Sequence, residues 1–157
     1  SIQVVFKGTD LKPFTKHFWT IKTWDQNRKA SDFSPVVSFE TGMMSPLKWQ
    51  GDWISDGKPI DYKPATYFRK SINIDKKIKS ARAYIAAAGL FEQYLNGKKI
   101  GDHILDPMYT RFDRRTLYLT MDITDNLIQS KNELGLLLGN GWYTLQYNAV
   151  WYLVKTQ

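Results

Sequence analysis

The stretch "GLFEQYLNGKKIGDHILDP", residues 89–107, sets two strand-like pieces about Asn96-Gly97 and then runs into a polar, acidic segment. An Asn-Gly pair between alternating apolar and polar residues is the strongest short-range hairpin signal, because a type I′ turn needs positive φ at both central residues. "FEQYL" and "KKIG" therefore read as the two arms of a hairpin. The same period of two recurs on either side of them. In "YFRKSINI" Phe68, Ile72 and Ile74 share one face, opposite Arg69, Ser71 and Asn73. "ARAYIAAAG" sets Ala83, Ile85 and Ala87 against Arg82 and Tyr84, and "TLYLTMDI" sets Leu117, Leu119, Met121 and Ile123 against Tyr118, Thr120 and Asp122. "ELGLLLG" is apolar on both faces, as a central strand is. These patterns predict an all-β protein, an antiparallel β-sandwich of half-buried strands.

Connections follow from turn chemistry. Asp122 or Thr124 caps a single helical turn across "DNLI", and "SKNE" reads as the turn back into the sheet. Further back, "HFWTIKTWD", "QNRKASDFSP" and "VVSFETG" read as strand, loop and strand, with "LKPFTKHF" supplying a bend before them. Through "MMSPLKWQGDWISD" the composition shifts to tryptophan, glycine and proline with little alternation, which places a boundary near Met44.

Composition narrows the function. The chain has 157 residues, too few for a large enzyme. Its aromatic content of 15% is high and calls for buried or ligand-facing rings. The net charge of +7 raises nucleic acid as a partner, yet the basic residues are scattered, and the nearest cluster, "DKKIKSAR", suits a lysine-guarded sheet edge. No nucleic-acid partner is expected. Without cysteine there is no disulfide and no zinc–thiolate site. No apolar run is long enough to cross a bilayer as a helix, and no membrane partner is expected.

Taken together, "FWTIKTWDQNRKASDFSPVVSFETG", "WQGDWI", "YFRKSINI", "GLFEQYLNGKKIGDHILDP", "RRTLYLTMDIT" and "LGNGWY" resemble, in order, the N-terminal non-catalytic region of the bacterial α-L-rhamnosidase family of glycoside hydrolases. The resemblance implies two parts. Residues 1–44 resemble the later strands of a fibronectin type III-like module, in which "LKPFTKHF" takes the place of a tyrosine corner with His17 where tyrosine is usual. A ring nitrogen of His17 replaces the phenol's hydrogen bond there, or the corner is looser. Residues 45–157 resemble the rhamnosidase N-terminal β-sandwich, a jelly roll of galactose-binding-like type, cut short near Thr156. The resemblance further implies that catalysis, an inverting hydrolysis of α-L-rhamnosides, resides in an (α/α)₆ barrel elsewhere in the parent chain. The partners it implies are a rhamnose-containing carbohydrate and that barrel, with no cofactor.

The loop "GDHILDPMYTRFDRR" holds the candidate chemistry. Asp102, Asp106 and Asp113 raise the carboxylate pair of a glycosidase, but Asp also serves turns, and Arg111, Arg114 and Arg115 stand by as ion-pair partners. No catalytic residue is assigned. A sugar contact combines aromatic faces over ring C–H groups with planar polar side chains on hydroxyls. Tyr109, Tyr118, Trp142 and Tyr143 offer the faces, and Asp106, Arg111, Asp113 and Asn140 the polar groups. The competing reading packs Trp142 and Tyr143 in the sandwich or against the barrel. The family pattern is close to "LDPGWTDYxxR", so Met108, Tyr109 and Arg111 depart from a glycine, a tryptophan and an aspartate. In "LGNGWY" the glycines make a tight turn at a strand end, and Trp49 and Trp53 read as fillers of a seam between modules. His17 and His103 lack zinc spacing, and no metal site is assigned.

Overall fold

The computed structural model describes residues 4–59 and 64–143; the "AVWYLV" run at 149–154, read as strand-compatible, lies outside them. Regular structure among the described residues is strand, apart from two one-turn 3-10 helices at Pro46–Lys48 and Thr124–Asn126. The protein is all-β with antiparallel sheets, as the alternation predicts. Backbone contacts divide the chain into two compact units, Ser1–Trp53 and Ile54–Gln157.

In the first unit, β1 (Lys16–Trp19) pairs with β2 (Val37–Glu40), Lys16 opposite Glu40 and Trp19 opposite Val37. Asp25 shapes the intervening loop, its Oδ1 accepting from the N–H groups of Asn27 and Lys29 at 2.8 Å each. The bend before β1 is fastened by Thr41. Its hydroxyl donates to the Lys12 carbonyl and accepts from the Thr15 N–H at 3.0 Å. His17 stacks on Phe39 at 5.2 Å between ring centroids, and its Nε2 is buried without a hydrogen-bond partner among the described residues. The looser of the two readings of this corner is the one observed, and a threonine 26 residues away ties Thr15 down instead.

The second unit is a sandwich. One sheet has the order β3 (Thr66–Ile74), β8 (Ser130–Gly139), β5 (Leu90–Leu95), β6 (Lys98–Lys99), and the other pairs β4 (Arg82–Ala86) with β7 (Tyr118–Asp122). Strand β8 is central, flanked by β3 and β5, which explains why its sequence is apolar on both faces. The β5–β6 hairpin turns through Asn96 at φ 52° and Gly97 at φ 81°, the left-handed pair that the Asn-Gly signal demands. Strand β5 alternates half-buried and buried, with Phe91, Gln93 and Leu95 inside. Leu95, Ile100 and Ile123 are the buried core cluster, surrounded by Ala81, Ala83, Met121, Leu127 and Leu134. These residues come from or beside both sheets, so the apolar faces close on one another.

A short helical turn is present but starts one residue before "DNLI", at Thr124–Asn126, with Ile123 and neither Thr124 nor Asp122 at the N-cap position; Asp122 Oδ1 accepts from the Thr124 N–H at 3.0 Å. "SKNE" is not a turn: Ser130–Glu133 opens β8, paired with β3 from Ile74 to Ser71. The chain can reverse earlier because Asn132, fully buried, does a turn's hydrogen bonding with its side chain. Its amide donates to the carbonyls of Ile128 and Ser130 and accepts from the Ile128 N–H, at 2.8 to 2.9 Å.

On the opposite face of the larger sheet the side chains pair electrostatically. Glu133 accepts from Arg69 at 2.9 Å, Ser71 at 2.7 Å and Lys131 at 2.9 Å, and these donors, Arg69 foremost, pull its carboxyl down to a pKa of about 2. On the same face Lys99 and Tyr94 donate to Glu92, holding that carboxyl below its ordinary value and raising the Tyr94 phenol.

Candidate functional site

The end of the sandwich where β5 begins and β8 ends carries the candidate residues. Two glycines let the backbones meet there. A Cβ on Gly89 would stand 2.5 Å from the Gly139 carbonyl oxygen, and one on Gly141 would stand 3.1 Å from the Gly89 backbone. The turn predicted for "LGNGWY" forms at this point, with Gly141 at φ 53°. Below it the acidic loop is strapped to β5 by a 2.8 Å bond from the Phe91 N–H to the Asp106 carbonyl.

This framework gathers four aromatic rings. Tyr109 meets Trp142 at 6.3 Å and Phe112 at 5.7 Å, and Phe112 meets Tyr143 at 5.6 Å, all edge to face. Such geometry suits the ring quadrupoles. Beside them an open cleft of about 400 Å³ is lined by Leu90, Leu105, Pro107, Tyr109, Gly141 and Trp142. Trp142 remains 58% exposed and Tyr109 44%, so ring surface is available to a ligand or to another part of a larger protein.

The polar candidates are placed around this cluster with partners of their own. Arg111 grips Asp113 through a fork, Nε and Nη2 donating to the carboxylate at 2.8 to 3.1 Å, and Phe112 of the cluster lies between them in sequence. Asp106 is engaged by the imidazole of His103. Asn140 follows β8 directly and is half-buried. Tyr118 sits elsewhere, on β7 of the two-stranded sheet, its ring 6.0 Å from that of Tyr84. Among the described residues no group of three or more His, Asp or Glu side chains is placed to hold a metal ion.

The structure thus brings Tyr109, Trp142 and Tyr143 together and joins Arg111 to Asp113. Sequence reasoning misses Phe112, the ring that links Tyr109 to Tyr143, and the aliphatic wall of Leu90, Leu105 and Pro107. A signal for Phe112 exists in "TRFDRR", where it is the one apolar residue in a charged run. Nothing local marks Leu90, whose role depends on how β5 and β8 end together.

Two family models match the chain: "Alpha-L-rhamnosidase N-terminal domain" over residues 76–155, and "Rha78A-like, N-terminal immunoglobulin domain" over residues 1–45. An alpha-L-rhamnosidase of Formosa agariphila is 33% identical over 162 aligned positions, covering 89% of this chain and 17% of that protein. The solved alpha-L-rhamnosidase from Dictyoglumus thermophilum superposes with a TM-score of 0.80 at 41% identity, covering 88% of this chain and 17% of its own. The native enzyme from Aspergillus terreus gives 0.78 at 30% identity, covering 87% and 16%. The chain therefore spans about a sixth of the length of these relatives. With matching models over both of its parts and sandwich strands in the expected places, the chain belongs to the alpha-L-rhamnosidase N-terminal domain family.

Proposed function

We propose that this chain serves as the non-catalytic region of an enzyme that hydrolyses terminal α-L-rhamnosyl residues, where it recognises or positions the rhamnose-bearing substrate. In this reading residues 1–44 are the remainder of a fibronectin type III-like, immunoglobulin-type module and residues 45–157 the recognition sandwich. The observation that carries the recognition role is the exposed four-ring cluster centred on Tyr109, with the Arg111–Asp113 fork on either side of Phe112. Rings cover sugar C–H faces, and a forked guanidinium–carboxylate pair offers both donors and acceptors to vicinal hydroxyls. Asp106, Asn140, Trp142 and Tyr143 complete the proposed contact set around the cluster, and Tyr118, on β7 of the two-stranded sheet, stands apart from it.

Hydrolysis belongs to the rest of the parent protein. A glycosidase needs one carboxyl to protonate the leaving oxygen and a second to act on the other side of the ring. Here Asp106 is bonded to the His103 imidazole and Asp113 to the Arg111 guanidinium, so each carboxylate already serves a local partner. The chain alone is expected to release no rhamnose from a rhamnoside.

One observation favours a second reading, a module that packs against the catalytic barrel without a sugar site. Ile104, Leu105 and Met108, next to the ring cluster, are each more than 70% exposed, and apolar surface of this kind often marks an interface. An amide NMR titration of the 157-residue chain with L-rhamnose, with and without calcium, separates the two. Shifts confined to residues 106–118 and 140–143 support recognition. A dispersed spectrum unmoved at high millimolar sugar supports the packing module.

A further inference from the structure

The cleft beside the ring cluster suits an apolar group better than the hydroxyl-bearing rim of a sugar. Among the described residues Leu90, Leu105, Pro107, Tyr109, Gly141 and Trp142 line it, a set with one hydroxyl, one indole N–H and no charged or carboxamide side chain. A pyranose carries hydroxyls around its rim, and a hydroxyl taken from water without a partner is costly. A flat, uncharged ring meets no such cost and gains from burying apolar surface. The volume of about 400 Å³ falls within the usual range of small-molecule clefts.

The walls are fixed by backbone rather than by adaptable side chains. The Phe91 N–H holds the Asp106 carbonyl, which sets Leu105 and Pro107 in place. Gly141 lies against the Gly89 backbone, and Trp142, next in sequence, lines the cleft. Trp142 and Tyr109 already meet at an interplanar angle of 65°, so a third ring can join them edge to face or offset-stacked. The polar fork of Arg111 and Asp113 is tied to the same cluster through Phe112.

From this division we infer that the cleft takes the aryl aglycone of a rhamnoside, while the Arg111–Asp113 fork meets the hydroxyls of its sugar. The inference rests on the rhamnoside-recognition reading and adds the class of group on the sugar's reducing side. A shared site of this kind prefers an aryl rhamnoside to either of its halves.

The test is an amide NMR titration of the 157-residue chain with three probes: methyl α-L-rhamnoside, 4-nitrophenyl α-L-rhamnoside and 4-nitrophenol. The expected result is that the aryl rhamnoside binds roughly tenfold more tightly than the methyl rhamnoside, as burying one ring face implies, and moves the resonances of Leu90, Leu105 and Trp142. Trp142→Ala abolishes that tenfold gain. Leu105→Asn, a change at an exposed position with φ 60° that asparagine tolerates, reduces it without threatening the fold. Equal affinity for the two rhamnosides, with shifts around Arg111 and Asp113 only, overturns the aglycone site and leaves sugar recognition standing. Binding of 4-nitrophenol in the cleft as tight as that of its rhamnoside supports the aryl preference and overturns the sugar reading. No shift with any probe overturns both.

Discussion

Asn96 donates from Nδ2 to Oδ1 of Asn132 at 2.9 Å, joining the tip of the β5–β6 hairpin to the start of strand β8 across 36 residues of sequence. Asn96 also bonds twice to the Glu133 backbone, its own N–H donating to the Glu133 carbonyl and its side-chain Oδ1 accepting from the Glu133 N–H, both at 2.9 Å. The two amides therefore decide where the hairpin registers on the central strand. Asn132 is the buried end of this network, and there a broken bond is damaging because an orphaned buried group keeps its desolvation cost.

Replacing Asn132 by Ala strands the backbone groups of Ile128 and Ser130 that its side chain now satisfies. The expected loss is about 2–4 kcal/mol, the cost of one or two unsatisfied buried groups plus a small void. Urea denaturation checks it through a lower midpoint at unchanged slope. A midpoint within error of the parent would mean that water replaces the amide at no cost.

Much of this fold is legible in the sequence because the strands bury one face each. Phe68, Ile72 and Ile74 on β3, and Leu119 and Met121 on β7, announce the core by alternation alone. Asn96-Gly97 fixes the hairpin by steric demand. Ser130–Glu133 escapes, since its polar composition mimics a turn while the reversal is made by the buried side chain of Asn132, a long-range fact. The site divides in the same way. Tyr109, Trp142 and Tyr143 stand out as large aromatics near strand ends, but the cleft wall arises only where Leu90 and Leu105 are brought together in space.

Glycine contrasts test the close approach under the cleft. Gly89 has φ 142°, and an added Cβ would stand 2.5 Å from the Gly139 carbonyl oxygen. Gly97 has φ 81° and open space around it. Gly97→Ala is expected to cost about 1–2 kcal/mol, the left-handed strain of an L residue. Gly89→Ala adds a backbone clash and should cost clearly more, with the resonances of Gly139 and Asn140 displaced. Equal costs in thermal denaturation would show that β5 and β8 can part there without penalty.

Acid should loosen the outer face at a definite place. The Glu133 carboxyl titrates at about 2 in the folded chain against an ordinary 4.5, because Arg69, Lys131 and Ser71 donate to it. A depressed carboxyl contributes stability that is fully present above its unfolded value and is lost as pH falls through the folded one. The Glu133→Gln variant is therefore less stable than the parent at pH 7, and the gap closes as pH falls from about 4.5 to about 2. Stability curves that stay parallel across that window would remove Glu133 from the acid response.

The corner before β1 offers a change in the opposite direction. His17 Nε2 is buried with no hydrogen-bond partner among the described residues, while its ring stacks on Phe39 with planes 24° apart. Phenylalanine keeps a stacking ring of similar breadth and removes the polar atom, so His17→Phe relieves a desolvation cost without opening a cavity. The expected outcome is an unchanged or higher unfolding midpoint for the first unit, read from its own tryptophan and methyl resonances on heating. Thr41→Val serves as the control, because it removes the hydroxyl that donates to the Lys12 carbonyl and accepts from the Thr15 N–H. That variant should lose about 1 kcal/mol or more. If His17→Phe is the damaging change and Thr41→Val the harmless one, the corner is held by the imidazole after all, and the threonine bonds only accompany it.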